Sequence, residues 1–296
     1  MSRLGPLLAA TDFSAPARLA VERAARLAHE AEAPLTLLHV LPGEPLAQLR
    51  NWLGADSAPE RQMAQQAQAE LQGLAAEVAA ASRAEVDARC AGGVAIDEIL
   101  RAADALDAAL IVTGARGSGF LRRLVLGTTA ERLMRRSARP LLVVRQPPRE
   151  AYRRALVALD FSPWSARALA LARRVAPQAR LVLLSAYQVP FEEKLHFAGV
   201  DAPTIDLYRG HARAEATQRL HALAAEAGLA PSQWEPRIVE GDASLRIVES
   251  EQALACDLTV LGKHGLSAGV ELLLGSVTRH VLAEGGADVL VSTARG

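Results

Sequence analysis

Two stretches of the sequence carry the same glycine pattern, Gly-x2-Gly-x9-Gly followed by a hydroxyl residue. The first copy runs from Gly114 to Thr128 and the second from Gly262 to Ser276. Glycine lets the backbone approach a ligand closely and adopt positive φ values. The last glycine and its hydroxyl residue precede a predicted helix, whose first N–H groups and dipole favour phosphate oxygens. The pattern therefore indicates a loop that binds the phosphates of a nucleotide.

An ordinary structural role is the alternative for such a loop. Helix caps and tight turns also use glycine and serine, so a single copy would be weak evidence for a ligand. Two complete copies are harder to explain in that way, although both could be structural relics. The pattern lacks the Gly-Lys-Ser/Thr ending of a P-loop. A dinucleotide-binding turn would follow the first strand, which here ends in Asp12 or Asp160.

The two glycine loops belong to a repeat that runs through the whole chain. Residues 7–14 (LLAATDFS) recur as residues 156–162 (LVALDFS), so that Asp12 matches Asp160. This pair and the matching glycines of the two loops are all separated by 148 residues, which is half of the 296-residue chain. Repeats are the first feature to seek in a sequence because they define the architecture. This repeat predicts two homologous domains.

Each copy alternates short apolar runs with helical periodicity, which predicts a parallel sheet with helices on both faces. The domains are residues 1–146 and 151–296, and a proline-containing linker joins them. The predicted strands are 5–11, 35–40, 85–90, 108–113 and 140–145, then 154–159, 181–186, 234–240, 258–262 and 287–292. The predicted helices are 15–32, 59–82, 94–106 and 128–137, then 163–175, 207–228, 243–254 and 276–284. Residues 189–206 are expected to be irregular.

Composition and charge restrict the classes of partner. The chain has 33 basic and 33 acidic residues and a formal net charge of zero, so no surplus exists to neutralise a nucleic-acid backbone. Cys90 and Cys256 lie in apolar contexts without metal-ligand spacing and are expected to be buried free thiols of a reducing compartment. No secretory leader and no apolar run of membrane-spanning length occurs. We expect a soluble cytoplasmic protein without a membrane or nucleic-acid partner.

These features together resemble the universal stress protein family, and the tandem-domain, ATP-binding type fits best. The resemblance rests on the aspartate that ends the first strand, on the Leu-Leu-His-Val strand at 37–40, and on the glycine loop. It implies a five-stranded parallel sheet of order 3-2-1-4-5 in each half, ATP as ligand, and a role in stress tolerance. It also implies that the last strands of two domains pair across a two-fold axis. The two halves would then form a pseudo-dimer, and a homodimer of the chain stays open.

The resemblance also assigns candidate site residues in both halves. It implies that an aspartate contacts the nucleoside, that a strand backbone meets adenine, and that the loop lines the ribose and phosphates. In the first half these positions are Asp12, Val40, Gly114, Gly117, Gly127, Thr128 and Thr129. In the second half they are Asp160, Ala186, Gly262, Gly265, Gly275, Ser276 and Val277. The alternative for the aspartates alone is a cap on the helix that follows.

The loops of the two halves differ in charge. The first loop carries Arg122-Arg123 where the second carries Val270-Glu271. An arginine near phosphates adds a charge-assisted hydrogen bond, whereas a glutamate opposes them. Lys263 and His264 could compensate in the second loop, and all of these side chains could equally be solvated. We expect the first half to bind ATP at least as well as the second.

Other residues that could do chemistry are interpreted as packing residues. His39 lies on a predicted buried strand and is expected to be a hydrogen-bonded core histidine. Trp52, Trp164 and Trp234 do not cluster in the sequence and are interpreted as packing residues rather than a stacking platform. The histidines show no metal-binding spacing, so no metal site is predicted.

The sequence contains no recognisable catalytic device, neither a nucleophile elbow nor the base of a kinase. The leading hypothesis is therefore a nucleotide-binding regulatory protein that holds ATP, with Mg²⁺ as a conceivable companion. One alternative is an enzyme that slowly hydrolyses ATP or transfers phosphate from the same loops. The other is an ATP-free scaffold whose dimerisation surface does the work.

Overall fold

The computed structural model describes residues 4–43, 58–115, 128–189, 197–263 and 275–293. Strands and helices alternate in both halves, which confirms the α/β class. The first half contains β1 (Leu7–Thr11), α1 (Ala15–Ala31), β2 (Leu35–Pro42), α2 (Ala58–Ser82), β3 (Val86–Gly93), α3 (Ala95–Ala105), β4 (Leu110–Gly114), α4 (Thr128–Arg136) and β5 (Leu141–Val144). The second half contains β6 (Arg154–Ala158), α5 (Pro163–Val175), β7 (Arg180–Tyr187), α6 (Ala202–Glu226), β8 (Trp234–Glu240), α7 (Ala243–Ala253), β9 (Leu258–Gly262), α8 (Ser276–Glu284) and β10 (Asp288–Ser292).

The chain divides into two compact units, one of Met1–Ala151 with Asp288–Gly296 and one of Tyr152–Ala287. In the first unit β1 pairs in parallel with β2 and β4, β2 with β3, and β4 with β5. The strand order is therefore β3-β2-β1-β4-β5, as the resemblance implies. β10 adds an antiparallel strand to β5.

The second half keeps the expected strand order, since β8-β7-β6-β9-β10 repeats 3-2-1-4-5, and β10 also pairs with β5. All residues of β5 are buried and apolar. If β5 were the edge of the sheet, its unpaired N–H and C=O groups and its apolar side chains would favour pairing with another chain. β10 is also buried throughout and lies with Val289 opposite Val143. Antiparallel pairing with β10 covers this edge.

A buried acidic residue fixes β10 to its place in the first unit. Asp288 is fully buried, and its Oδ1 accepts hydrogen bonds from the backbone N–H groups of Arg145 and Gln146 at 2.7 and 3.0 Å. Its Oδ2 lies 3.3 Å from Nε of Arg23 in α1, which is also buried. Arg23 donates a further bond to the carbonyl of Glu150 at 2.8 Å. Because a buried charge needs such partners, these bonds specify the position of β10.

The second unit repeats the parallel arrangement with four strands, in the order β9-β6-β7-β8. Its register matches that of the first unit, since Ala158 lies opposite Leu184 as Ala10 lies opposite Leu38. The apolar central strands β1, β4, β6 and β9 are almost entirely buried. Near-continuous burial is typical of parallel strands covered by helices on both faces.

Helix α6 differs most from the sequence prediction. It begins at Ala202, so the expectation that residues 189–206 are irregular is wrong for the last five of them. Pro203 lies in the first turn, where proline is tolerated because its missing N–H has no helical acceptor. The side chain of Asp201 precedes the helix without capping it. Proline at this position therefore marks the start of a helix.

The two cysteines are free, and only one of them is fully buried. Burial raises the pKa of the Cys256 thiol to about 12, so it stays protonated at neutral pH. Cys90 is half-buried on β3, which corrects the expectation of burial for this residue, because β3 is an edge strand and none of its residues is fully buried. Within the described ranges, no helix is both long and apolar enough to cross a membrane.

Candidate functional site

The second unit contains a cleft beyond the carboxyl ends of its central strands, where ligands of open α/β sheets bind. Its walls are the ends of β6, β7 and β9 and the first turns of α5, α7 and α8. The cleft is open to solvent, and its empty space of about 770 Å³ includes part of that solvent. Apolar side chains, among them Leu184 and Ile247, line it together with a few polar groups.

The sequence-predicted residues of the second half come together in this cleft. Those in the described part of the chain all line it, although their positions in the sequence span more than a hundred residues. They are Asp160, Ala186, Gly262, Gly275, Ser276 and Val277. Gly265 lies outside the described residues, as do His264, Val270 and Glu271. Parallel topology brings these segments together, because it places the carboxyl end of each strand at one edge of the sheet.

The amino end of α8 forms one wall of the cleft. Gly275 is the N-cap residue, and no side chain caps the helix there. The first helical bond runs from Arg279 N–H to the carbonyl of Gly275 at 3.0 Å, so the N–H groups of the first turn have no acceptor within the helix. Thr278 Oγ1 donates to the carbonyl of Gly262 at 3.1 Å and ties this turn to the end of β9. The helix therefore presents backbone donors and its positive dipole end to the cleft.

Among the residues that the structure describes, none packs so closely on Gly275 that it requires a glycine. Its φ of −56° and ψ of 146° are accessible to any residue. A Cβ at this position would lie 3.6 Å from the carbonyl oxygen of Lys263 and 3.9 Å from Thr278 Oγ1, which are ordinary contacts. The missing side chain instead keeps space open at the start of α8. This is what close approach of a ligand to the helix terminus needs.

Asp160 both caps a helix and faces the cleft. Its Oδ1 accepts hydrogen bonds from the N–H of Ser162 and from Ser165 Oγ, each at 3.0 Å. The capping alternative is thus part of its role, because these bonds hold the first turn of α5. A carboxylate has more acceptor sites than these two bonds use, and the residue is exposed at the cleft. Both roles are compatible.

Three residues that line the cleft are not among the predicted site residues. Lys263 lines the cleft with only 7% of its surface exposed, which brings a cation next to the glycine loop. Trp164, interpreted from the sequence as a packing residue, is half-buried in the cleft wall. Ala243, in the first turn of α7, carries no sequence signal at all. Only the topology, which brings the first turn of each following helix to the same edge, could have indicated it.

In the first unit the described candidates lie at corresponding places. Asp12 Oδ1 accepts hydrogen bonds from the N–H and Oγ of Ser14 at 3.1 and 2.5 Å, and Ser14 caps α1. Val40 is half-buried on β2, and Thr129 is exposed in the first turn of α4, which begins at Thr128. Gly117, Gly127 and the Arg122-Arg123 pair lie outside the described residues.

Gly114 has a structural reason to be glycine. A Cβ there would lie 2.7 Å from the carbonyl oxygen of Pro16 and 3.0 Å from the nitrogen of Ala17. These are backbone atoms of α1 and cannot rotate away. Glycine therefore lets the end of β4 pack directly against the start of α1. At this position packing alone accounts for the residue type.

His39 makes one hydrogen bond, as expected, but is only half-buried. Its Nδ1 lies 2.9 Å from the carbonyl oxygen of Thr11, and since a carbonyl can only accept, Nδ1 carries the proton. Its ring stacks on that of Phe13 with centroids 4.4 Å apart. Phe13 and its counterpart Phe161 both adopt a left-handed φ, 62° and 60°. In the second unit the ring of Phe161 contacts the guanidinium of Arg219 at 4.4 Å instead.

No metal centre is evident among the residues that the structure describes. Within them, no group of three or more His, Cys, Asp or Glu side chains is close enough together to hold an ion. The cleft contributes one carboxylate, that of Asp160, and one ammonium group, that of Lys263. Such a set suits an organic anion better than a bare cation.

The open parallel sheets, the helices on both faces and the cleft beyond the strand ends define a doubly wound α/β protein. The model of the "Universal stress protein family" matches residues 4–145 and again residues 151–292. The chain therefore belongs to the universal stress protein family and carries two tandem copies of its domain.

Known relatives agree with this assignment. The chain is similar to a universal stress protein of Mycolicibacterium smegmatis, with 28% identity over 313 residues, 96% of either chain. It is also similar to a universal stress protein of Mycobacterium tuberculosis, with 28% identity over 190 residues, 63% of this chain and 62% of that protein. A crystal structure of a universal stress protein from Archaeoglobus fulgidus superimposes with a TM-score of 0.71 at 18% identity and 98% coverage of both chains. This last likeness concerns the fold.

Proposed function

We propose that this universal stress protein is an ATP-binding regulator and that the cleft of the second unit holds the nucleotide. The observation that carries the proposal is that Asp160 and the uncapped amino end of α8 line one cleft. The carboxylate of Asp160 suits the hydroxyls of a nucleoside, and the amino end of α8 suits phosphates. Because both groups line the same open cleft, a molecule that carries hydroxyls and phosphates would contact both of them.

The phosphate end is the start of α8. The N–H groups of Ser276 and Val277 and the hydroxyl of Ser276 would donate to phosphate oxygens, and Gly275 would let them approach. Lys263 adds a positive charge in the same wall. The end of β9 at Gly262 supports this turn through the bond from Thr278. If Mg²⁺ accompanies ATP, it would be held mainly by phosphate oxygens and water.

The nucleoside end is formed by β6 and β7. Asp160 would accept a hydrogen bond from a ribose hydroxyl while its Oδ1 keeps the bonds to Ser162 and Ser165. Ala186, which the register makes equivalent to Val40, would offer its backbone to the adenine edge. Apolar contacts from Leu184 and Ile247 suit the base.

The first unit would bind ATP through the equivalent residues. These are Asp12, Val40, Gly114, Gly117, Gly127, Thr128 and Thr129. Because Arg123 stands where the second loop has Glu271, we expect its affinity to be at least equal to that of the second unit. The proposal places the protein in the cytoplasm as a pseudo-dimer of its two halves. The β5–β10 pair supports that arrangement, since it joins the two last strands of the repeat.

Ligand analysis of the purified full-length chain tests the function. Mass spectrometry of the small molecules released on denaturation should find an adenine nucleotide, and added ATP should raise the melting temperature. A ligand at a hundred times its Kd stabilises a protein by about 2.7 kcal/mol. Absence of both results would contradict ATP binding and favour the scaffold hypothesis. Release of phosphate above that of a buffer blank would favour the slow enzyme.

Variants assign the binding to the loops. Gly275→Glu and Gly127→Glu each place a charged side chain at the start of a helix that should receive phosphates. Each should lower ATP affinity at its own site by at least tenfold, or about 1.4 kcal/mol, with the larger loss of total binding from Gly127→Glu. The matched controls are Gly210→Glu and Gly73→Glu, at helical glycines where an added Cβ meets nothing within 4 Å. Equal losses in these controls would contradict the assignment.

A further inference from the structure

Trp164 distinguishes the cleft of the second unit from its counterpart in the first. It lies in the first turn of α5, and the repeat pairs it with Pro16 in the first turn of α1. Pro16 packs its backbone against Gly114 and has no aromatic ring. Trp164 instead lines the cleft. The family motif that identifies the glycine loops does not include this position.

The indole is held in place by its own helix. The guanidinium carbon of Arg167 lies 5.1 Å from the centroid of the Trp164 ring, which is the geometry of a cation–π interaction. Ser165, the next residue, is anchored to Asp160 by the 3.0 Å hydrogen bond. Because ring and backbone are ordered before a ligand arrives, stacking on the ring loses little further side-chain entropy.

We propose that Trp164 is a base-stacking residue that gives the cleft of the second unit a preference for purine nucleotides. The inference rests on the proposed function, because it concerns the same cleft. A purine offers a larger flat surface to an indole than a pyrimidine does, and inorganic phosphate chains offer none. The amino end of α8 and Lys263 would bind any polyphosphate alike. Trp164 would therefore supply selectivity for the base, and its counterpart Pro16 would not.

Binding of a panel of ligands to the full-length chain tests the proposal. ATP, GTP, CTP, UTP and sodium tripolyphosphate are titrated by calorimetry into the protein in a Gly127→Glu background, so that only the second cleft counts. The same background carries Trp164→Leu, Trp164→Phe or Trp234→Phe. Trp234 is buried against the ring of His221 and does not line the cleft, so it is the matched control. Melting temperatures verify that each variant is folded.

We expect Trp164→Leu to weaken ATP and GTP binding by roughly tenfold and to leave tripolyphosphate unchanged. Trp164→Phe should retain most of the affinity, and Trp234→Phe all of it. ATP should also change the tryptophan emission of the parent, and this change should vanish without Trp164. Equal losses for tripolyphosphate, or unchanged purine preference in Trp164→Leu, would overturn the stacking role while leaving ATP binding intact. Failure of the parent to bind any nucleotide would overturn the proposed function and this inference together.

Discussion

In each unit a buried charged side chain connects the carboxyl end of the helix before the fourth strand to the segment that precedes the last strand. The side chain that forms this joint is negative in the second unit and positive in the first. In the second unit the joint is Glu251, which is 2% exposed. Its Oε1 accepts bonds from the N–H groups of Gly286 and Ala287 at 2.7 and 2.9 Å, and its Oε2 accepts one from Thr259 Oγ1 at 2.8 Å. Thr259 and Ala287 are as buried as Glu251, whereas Gly286 is exposed.

In the first unit a buried arginine occupies the corresponding region. Arg139 donates to the carbonyl of Ala108 at 2.7 Å and to the carboxylates of Asp107 and Asp104 at 3.0 and 3.1 Å. The arginine side chain is 8% exposed, but the two aspartates are 96% and 66% exposed. The charge also comes from a different element, since the repeat pairs Arg139 with Ala287. The guanidinium of Arg139 therefore pairs with carboxylates that are exposed to solvent, whereas Glu251 accepts bonds from backbone N–H groups and from a buried hydroxyl.

The backbone around both joints is nevertheless the same. Asp107 and its counterpart Ala255 adopt left-handed φ values of 46° and 48°. Gly93 and its counterpart Gly241 likewise have positive φ values of 148° and 123°, where glycine is favoured. The comparison teaches that apolar strands and turn geometry define this fold, while the polar cross-links inside it can be exchanged.

Removing Glu251 should have the largest effect on stability. Glu251→Ala leaves the buried N–H of Ala287 and the buried hydroxyl of Thr259 without their acceptor, as well as the N–H of Gly286, so the second unit should lose about 3 kcal/mol of its free energy of unfolding. Hydrogen exchange of the backbone amides, followed by mass spectrometry, measures each unit separately, which a single unfolding curve does not. Glu251→Gln keeps an acceptor oxygen and should lose less. Equal destabilisation by both variants would contradict this account.

Removing Arg139 should cost less and should depend on salt. Arg139→Ala should lower the free energy of unfolding of the first unit by about 1–2 kcal/mol, because its ion pairs reach exposed carboxylates and are screened. The same exchange measurement in high salt should shrink the difference between parent and variant. For Glu251→Ala the difference should not change with salt. A salt-independent loss in Arg139→Ala would remove the contrast between the units.

The smallest effect on stability concerns the cap of the helix that follows the third strand of each unit. Asp242 caps α7 through the N–H groups of Ser244 and Leu245, whereas its counterpart Val94 offers α3 no side-chain cap. The hydrogen bond from Ser244, together with that from the N–H of Leu245, lowers the pKa of Asp242 below its ordinary value of 3.8. Because the pKa of Asp242 is lowered in the folded state, the cap stabilises the second unit at pH values above the ordinary pKa of 3.8. This stabilisation is lost as the pH falls through the pKa of the folded state.

Amide exchange of α7 as a function of pH measures this cap. Protection of its first turn, corrected for the intrinsic exchange rate, should decline in acid in the parent. In Asp242→Asn, which caps without titrating, the decline should be absent. Val94→Asp should give α3 the same acid-sensitive protection that α7 has. No change in α3 on that substitution would show that the two helix starts differ in more than their caps.

Much of the fold could be predicted from the sequence because the relevant signals are local. Apolar runs predict the strands, and the second copy of the glycine pattern makes the evidence for a loop site stronger than a single copy would. The six described site residues of the second half lie in one cleft because topology alone unites strand ends. Trp164 and Lys263 could not be assigned from the sequence, since an aromatic or cationic side chain looks the same in a core, on a surface or in a cleft. Glu251 and Arg139 were missed because their partners converge from distant positions.

The pairing of β10 with β5 is implied by the family resemblance, which pairs the last strands of two domains. The bonds that fix β10 there could not be predicted from its sequence, Asp288–Ser292. The N–H groups of Arg145 and Gln146 donate to the carboxylate of Asp288, and these bonds join residues more than a hundred positions apart. Sequence periodicity carries no information on such pairs.

The pairing of β10 with β5 bears on how the polypeptide folds during its synthesis. A nascent chain that has emerged only as far as residue 151 lacks the strand that covers β5, so its apolar edge stays open while the rest is translated. The first unit would reach its final form last, after the second has been synthesised. Fragments cut at the linker would consequently be unequal, and the amino-terminal one should self-associate through that edge.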